Sequence, residues 1–451
     1  MSDGLAPLRD PRTIRARAAA VTAAVADDRS GWFRLDRSRL PEVAARVAAL
    51  MQRRFPDGRV PYHSRWRHFE AGGVDRKAEL DAVLAPLSAA DRARAQFDLT
   101  VVSVLLDAGA GPGWSYLERP GALAPAALPA ERVARDDLMA MLDRAAGAAP
   151  VAAAPTVAAP GGQRYTRSEG LGVATFRAFM AGAFSSDPAQ PCRVDAQALR
   201  QTDAASLRAL FQAGPQNALV GLEGRAALMV RLGEALQAEA ARDGAPARPA
   251  LLFDRLVAGG ATEVAAAAVL GQVLRALGPI WTSGSTVMGM RAGDVWPHRF
   301  AGAATGAGDD PATRGWVPFH KLSQWLSYSL LEPLQWAGVR VTGLDALTGL
   351  PEYRNGGLFI DAGVLVPRST TYLERQWKPG DEFIVEWRAL TVTLLDELAV
   401  RVRAQLGLDA ERLPLACVLE GGSWAAGREI AAERRPGGAP PLHIDSDGTV
   451  F

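Results

Sequence analysis

Helical periodicity is the feature that most limits what this sequence can fold into. It is clearest in the segment GDEFIVEWRALTVTLLDELAVRVRAQLG, where apolar residues recur every three or four positions across residues 383–406. That spacing predicts a long helix with a buried face. The same periodicity predicts further helices within residues 13–55, 81–110, 207–240 and 250–277. The pattern indicates a mainly α fold, a large helical protein with few short strands.

One stretch of the chain is a candidate boundary. Residues 145–162 read AAGAAPVAAAPTVAAPGG, which is low in charge and rich in Pro, Ala and Gly. Such a composition is typical of a linker or a long surface loop. We therefore predict an N-terminal helical region at residues 1–144 and a main helical domain at residues 163–451, with most of the functional site in the latter.

The charge balance excludes several kinds of partner. With 50 basic and 49 acidic residues the formal net charge is +1, so no overall field attracts nucleic acid or an anionic membrane. We expect a small-molecule partner, no nucleic acid and no membrane; the composition defines no oligomeric state. Cys192 and Cys417 lack metal-type spacing, and no apolar run is long enough to span a bilayer. These features favour a cytoplasmic protein.

The common cofactor motifs are missing from the sequence. Its five histidines are scattered, and HExxH and CxxC do not occur, so we expect no metal. The dinucleotide fingerprint is absent, and the Gly-rich segment 109–113 lacks the Gly-Lys-Ser/Thr ending of a phosphate loop. No cofactor is expected. The remaining chemistry is carboxylate catalysis on a polar small molecule, with stacking on aromatic rings.

Residues 317–361 concentrate the candidate catalytic groups, which are the carboxylates Glu332, Glu352 and Asp361. Glu332 directly precedes Pro333, which removes a backbone donor and is expected to kink or restart its helix. Glu352 opens the turn PEYRNGG, which combines turn formers with side chains that donate, accept and carry charge. Loops of this kind are frequent carriers of function, because a rigid scaffold can position them.

The candidate substrate-binding residues fall into three groups. Those of the central stretch are His320, Trp325, Tyr328, Tyr353, Arg354 and Asn355. Those of an upstream turn are Trp281, Ser283 and Ser285, where backbone amides and hydroxyls could cradle a phosphate or a sugar. Glu386 and Arg388 lie in the first turns of the long helix, where they either form a structural ion pair or face a pocket.

Two further segments have open interpretations. Residues 60–76, VPYHSRWRHFEAGGVDR, are either a basic surface loop with an aromatic anchor or a contribution to the site. Arg164, Arg167 and Ser168 stand near a predicted helix start, where amides and basic side chains favour anions. They either hold a phosphate or belong to a capped helix with solvated arginines.

Five long motifs resemble a known family. They are LLDAGAGPGWSYLE, RSEGLGVATFRAFMAGAFSS, WLSYSLLEPL, LTGLPEYRNGGLFIDAGVL and LEGGSWAAGREIAAERRPGG. They resemble the uracil-catabolism family of fungi and bacteria, formerly a domain of unknown function, and the resemblance covers nearly the whole chain. It implies a place in a pathway that opens the pyrimidine ring at the nucleotide level and passes through a ribosylurea.

A second resemblance covers SYSLLEPLQWAG, the EYRN turn and DEFIVEWRA. Their order and spacing are similar to motifs of the queuosine-salvage nucleoside hydrolases, which implies a DNA-glycosylase-like helical core and cleavage of an N-glycosidic bond. Tyr328 matches the motif tyrosine of that family. The family's leading aspartate falls on Ser327 and its glutamine on Glu332, so another acid must act in this chain.

Together the two resemblances imply hydrolysis of the N-glycosidic bond of ribosylurea, or of its 5′-phosphate, to urea and ribose (5-phosphate). A carboxylate near C1′ would stabilise the developing positive charge and deprotonate water. The residues expected to assist are Asn355, Tyr353 or His320 at the leaving urea, Arg354 with Ser283 and Ser285 at the phosphate or ribose hydroxyls, and Trp281 and Trp325 as walls. The alternatives are an amidohydrolase or lyase acting on a ureido acid later in the pathway, and a non-catalytic binding or scaffold subunit.

Overall fold

A computed structural model describes residues 4–107, 109–111, 113–119, 162–281, 284–306 and 309–445 of the chain. Helices dominate these residues, which confirms the predicted mainly α fold. In chain order the helices are α1 (Pro11–Ala26), α2 (Leu40–Arg54), α3 (Arg76–Leu84), α4 (Ala89–Leu105), α5 (Arg167–Met180), α6 (Ala196–Arg200), α7 (Ala204–Leu210), α8 (Leu222–Asp243), α9 (Leu251–Leu256), α10 (Ala266–Leu277), α11 (Lys321–Trp336), α12 (Tyr353–Asp361), α13 (Thr371–Glu374), α14 (Glu382–Leu406), α15 (Leu415–Val418) and α16 (Trp424–Arg434).

The strands are short and pair two by two. They are β1 (Phe33–Leu35), β2 (Ser115–Glu118), β3 (Gln163–Thr166), β4 (Glu263–Ala265), β5 (Ser285–Val287), β6 (Met290–Gly293), β7 (Val295–Pro297), β8 (Trp316–Pro318), β9 (Arg340–Thr342), β10 (Leu365–Pro367), β11 (Gln376–Trp377) and β12 (His443–Ile444). The pairs β1–β10, β2–β3, β5–β6 and β7–β8 are antiparallel, whereas β4–β9 and β11–β12 are parallel. Each pair forms a small two-stranded sheet between segments that connect the helices.

The long helix α14 lies at the centre of the packing. The periodicity across residues 383–406 predicted it, and its apolar side chains from Phe383 to Val402 are almost all buried. Helices α1 and α2 both pack against it; the predicted helical segment 13–55 contains all of α2 and all but the first two residues of α1. Helix α4 packs against α11. The burial of these apolar faces is the main stabilising contribution that the fold offers.

Helix α11 contains a proline and nevertheless continues. The expected restart at Pro333 does not occur, because α11 runs unbroken to Trp336. Pro333 has no N–H to donate to the carbonyl of Ser329 four residues earlier. That buried carbonyl instead accepts a hydrogen bond from the indole of Trp66 at 3.0 Å. A side chain from the predicted 60–76 segment therefore supplies the donor that the helix lacks.

None of the helices in the described ranges combines the length and the apolar character that crossing a bilayer requires. The predicted linker at residues 145–162 lies outside the described residues except for Gly162. The division into an N-terminal region and a main helical domain therefore stays a prediction.

Candidate functional site

Charged and aromatic side chains from separate parts of the chain meet where α11 and α12 begin. The end of α4, the start of α5, the 3-10 segment Arg65–Gly73 and the π-helical turn Leu419–Ser423 border the same place. We call this group the polar cluster. Its members are His63, Arg65, Asp107, Lys321, Trp325 and Glu352.

Glu352 is the carboxylate at the centre of the polar cluster. It caps α12, accepting hydrogen bonds from the amides of Arg354 at 2.8 Å and Asn355 at 2.7 Å. Burial raises the pKa of this carboxyl, and those two amides together with the positive charges of Lys321 and His63 partly oppose the rise. Each carboxylate oxygen keeps a lone pair beyond the one used in capping. The local sequence, a carboxylate before a short helix, thus holds a proton acceptor rigidly.

Lys321, in the first turn of α11, interacts electrostatically with Glu352. Burial lowers the pKa of its ammonium, while the carboxylates of Glu352 and Asp107 act in the opposite direction. Among the residues that the structure describes, none forms a hydrogen bond or an ion pair with its Nζ, although its backbone amide donates to Asp294 at 3.0 Å. A half-buried ammonium group between two carboxylates can bind hydroxyls or oxyanions of a ligand.

Asp107 and Arg65 form a buried ion pair within the polar cluster. Arg65 is fully buried, with Nη1 3.2 Å from Asp107 Oδ1 and Nε donating to Ser103 at 2.7 Å. The hydroxyl of Ser168 donates to the other oxygen of Asp107. Burial raises the pKa of Asp107, and the guanidinium of Arg65 opposes that rise. Ser168 is therefore engaged with a carboxylate, and Arg164 donates to Ser115 at 3.1 Å.

Trp325 supplies an indole whose N–H has no partner. Its ring lies 5.6 Å from the ring of His68 and 6.5 Å from that of His63, between centroids, and the guanidinium carbon of Arg65 is 5.6 Å from its centroid. The buried Nε1 makes no hydrogen bond to any described residue. A buried donor left unpaired costs about 1–3 kcal/mol. Such a donor marks a place where a polar ligand would be stabilised.

The other two predicted acids lie away from Glu352. Glu332 is two turns beyond Trp325 on α11, paired with Arg67 at 2.8 Å and accepting from Ser64; burial raises its pKa. Asp361 ends α12, the helix that Glu352 begins, and Arg435 binds both of its oxygens. The structure brings Glu352 alone of the three into the polar cluster.

Several predicted binding residues in this stretch hold the fold together. Tyr328 is buried and donates to the carbonyl of Thr348 at 2.9 Å. Arg354 donates to the carbonyl of Gly438 at 2.8 Å. Asn355 accepts from Ser423 at 2.8 Å and donates to Leu350 at 3.2 Å. Tyr353, in contrast, is 39% exposed and follows Glu352 directly, so it stands at the edge of the polar cluster.

Trp281 and His320 border a separate, narrow cavity of about 10 Å³, which Asp294, Leu322 and Ser323 also line. That volume is room for about one water molecule. His320 has a left-handed backbone with φ 48°, and its Nε2 lies 2.8 Å from the carbonyl of Leu8. Burial lowers the pKa of this imidazole. Glu352 is not among the residues that line this cavity.

Glu386 and Arg388 each have a partner other than one another. Arg388 binds Asp294 through two hydrogen bonds of 2.6 and 2.8 Å. Glu386 accepts from Ser30 at 2.5 Å and lies 3.3 Å from Nε2 of His298. Of the remaining predicted residues, Ser285 begins strand β5 and Ser283 lies outside the described residues.

Four members of the polar cluster were not among the predicted site residues, namely His63, Arg65, Asp107 and Lys321, and neither was Glu420, the partner of His63. Lys321 stands inside the central stretch and His63 inside the 60–76 segment, so crowding of polar and aromatic residues was the available signal. Asp107 only marked the end of an apolar run. Within the described ranges, no three His, Cys, Asp or Glu side chains are arranged to hold a metal ion.

Fold and site together define a mainly α protein with a partly buried cluster of carboxylates, cations and indole rings. The chain belongs to the family described as "Protein of unknown function (DUF1688)", which matches residues 7–136 and 137–451. Protein urg3 of Schizosaccharomyces pombe is 35% identical over 459 residues, covering 100% of both chains. Uracil catabolism protein 4 of Lachancea kluyveri is 34% identical over 453 residues, covering 94% of this chain and 93% of that protein.

Proposed function

We propose that this protein acts in uracil catabolism by hydrolysing the N-glycosidic bond of ribosylurea or its 5′-phosphate. A relative that matches nearly full length carries uracil catabolism in its name. The observation that carries the chemical part is the position of Glu352, a buried capping carboxylate whose charge interacts with the ammonium of Lys321. A fixed carboxylate beside a cationic hydrogen-bond donor suits hydrolysis at a sugar carbon.

The reaction assigns one task to each side of the C1′–N bond. Water attacks C1′ and gives a proton to Glu352, while the C1′–N bond breaks and its electrons go to the urea nitrogen, which takes up a proton. Positive charge develops on the sugar as the bond lengthens, and the carboxylate of Glu352 stabilises it. We assign the N–H of Trp325, which bonds to none of the described residues, to the urea carbonyl oxygen.

Lys321 and Asp107 are our candidates for the ribose hydroxyls. An ammonium donates three hydrogen bonds and a carboxylate accepts several, so the two can hold adjacent hydroxyl groups. Tyr353, half in solvent at the edge of the polar cluster, is placed to cover the bound sugar. Arg354 is turned toward Gly438, so we assign it to the fold and not to the phosphate.

The test is to incubate the purified protein with ribosylurea and with its 5′-phosphate, and to measure urea and reducing sugar together. We expect equal release of both products from one of the two substrates. Ammonia without reducing sugar would instead support an amidohydrolase acting on the ureido group. No product from either substrate, with the protein folded by circular dichroism, would overturn the proposal and favour a binding or scaffold subunit.

A further inference from the structure

A carboxylate and an imidazole form a hydrogen-bonded pair beside the polar cluster. Nδ1 of His63 lies 2.8 Å from Oε2 of Glu420, and the two side chains are 11% and 14% exposed. In a neutral imidazole with Nδ1 donating to the carboxylate, Nε2 is the free site for a proton. A carboxylate that fixes the ring in this way also stabilises the protonated form.

The free edge of His63 is directed away from Glu420 and lies between two indoles. The imidazole centroid is 6.5 Å from that of Trp325 and 6.2 Å from that of Trp424. No residue in the described part of the chain forms a hydrogen bond with Nε2. Burial raises the pKa of Glu352, the proposed base, and the nearby imidazole of His63 is among the groups that oppose this rise.

The backbone around this pair is held from both sides. The amide of His63 donates to the carbonyl of Ala416 at 3.0 Å. Glu420 lies in the π-helical turn Leu419–Ser423, which Arg54 binds through the carbonyl of Gly421 at 3.1 Å and through Oε1 of Glu420 at 3.3 Å. Short π-helical turns occur frequently at functional sites, because they re-aim a side chain within a helix.

We infer that His63 is the general acid that protonates the departing urea nitrogen, and that Glu420 is its positioning residue. This inference rests on the proposed function and completes its proton transfers. Nε2 gives its proton to the urea nitrogen as the C1′–N bond breaks, while Glu352 takes one from the attacking water. Exchange with solvent then removes the proton from Glu352 and returns one to Nε2, so no co-reactant is needed.

Two of the three predicted donors for the urea, Asn355 and His320, have other partners. The side chain of Asn355 binds Ser423 and Leu350, and His320 binds the carbonyl of Leu8. The simpler alternative for the pair of His63 and Glu420 is a structural link between the 60–76 segment and the π-helical turn. A structural link would affect folding, with no specific effect on turnover or on its pH dependence.

The first experiment compares His63→Asn with His443→Asn, in which an exposed histidine of β12 is changed. With the substrate that the wild type cleaves, we expect His63→Asn to lower kcat by about 10²–10⁴-fold, the usual loss of a general acid, and to leave KM within about threefold. The control should match the wild type. Unchanged kcat in folded His63→Asn would overturn the inference, whereas the proposed function fails only if the wild type itself releases no urea and sugar.

The second experiment is the pH–rate profile of Glu420→Gln, which remains decisive if His63→Asn does not fold. The charged and titratable groups around His63 are Glu420 and Arg54 on one side and Glu352 and His68 on the other. A general acid gives a basic limb, because the rate falls as the acid loses its proton. Without the carboxylate of Glu420 we expect the basic limb of the pH–rate profile to move to lower pH. We also expect a lower kcat with little change in KM. A basic limb that does not move would contradict the inference.

Discussion

Substitution of Glu352 tests whether the carboxylate at the centre of the polar cluster is catalytic or only caps helix α12. As a cap it accepts from the amides of Arg354 and Asn355. Asparagine caps helices about as well as any residue, so Glu352→Asn keeps an acceptor at the helix start but removes the carboxylate. Glu352→Gln keeps the length of the side chain and one acceptor oxygen. The two variants therefore separate capping from charge.

The expected sizes of the two effects differ enough to decide the question. Loss of a helix cap costs about 0.5–2 kcal/mol of stability. A side-chain amide in place of the carboxylate still caps the helix, so each substitution should cost less than about 2 kcal/mol. Loss of a general base lowers the rate by about 10²–10⁴-fold, which corresponds to about 3–5 kcal/mol in activation free energy. We thus expect both variants to remain folded and to lose most of their turnover.

The assay is release of urea and sugar under saturating substrate, beside urea denaturation of each variant. Asp361→Asn is the matched control, because it removes a carboxylate at the opposite end of α12 that Arg435 binds. It should cost about 2 kcal/mol or more of stability, since a charged partner is left behind, and keep kcat near that of the wild type. Turnover by Glu352→Asn within threefold of the wild type would refute the catalytic role and leave a cap.

Three other outcomes are expected. Trp66→Phe should destabilise by about 1–3 kcal/mol in denaturant titrations, because the Ser329 carbonyl that Pro333 leaves free loses its donor; unchanged stability would show that another group satisfies it. Gly427→Ala should destabilise by about 1–3 kcal/mol or more, because its Cβ would lie 2.1 Å from the backbone oxygen of Arg354, whereas Gly224→Ala in α8, with nothing within 4 Å, should be tolerated. Finally, burial raises the pKa of Glu352, and catalysis needs its ionised form. As the pH is lowered, kcat/KM should therefore begin to fall at a pH above the ordinary pKa range of glutamic acid. A fall that begins only within the ordinary range would contradict this assignment.

The proposed proton transfers also predict that the base and the acid come from different segments of the chain. Glu352 lies on α12, whereas His63 comes from a segment almost three hundred positions earlier in the chain. A base and an acid on independent elements can be placed on opposite sides of one bond. Turnover should accordingly respond to variants in both segments, although only one of them contains the residues that the sequence singled out as catalytic.

Local patterns in the sequence predicted much of the fold. The periodicity across residues 383–406 predicted α14 nearly to the residue, because a buried helical face imposes its spacing on the chain. Of the kink or restart predicted at Pro333, the restart is absent, because α11 runs on to Trp336 and Trp66, more than 250 positions away, supplies the missing donor. No local rule contains that information.

The candidate site, like the fold, was predictable from the sequence only in part. Crowding of acids and aromatic rings in residues 317–361 was visible in the sequence and included Glu352, Trp325 and Tyr353. What the side chains touch was not visible, since Asp361 and Arg354 look equally suited to chemistry until Arg435 and Gly438 are found beside them.

The sequence by itself determined the helical class of this protein, its long central helix and the stretch that supplies Glu352. Only the tertiary structure decided which polar groups share one space: Asp107, Lys321 and the pair of His63 and Glu420 come together because helices distant in sequence pack against each other. Helix-forming patterns act over a few neighbouring residues, whereas hydrogen bonds and charges act across space. A site built from five separate segments therefore becomes evident only after the chain has folded.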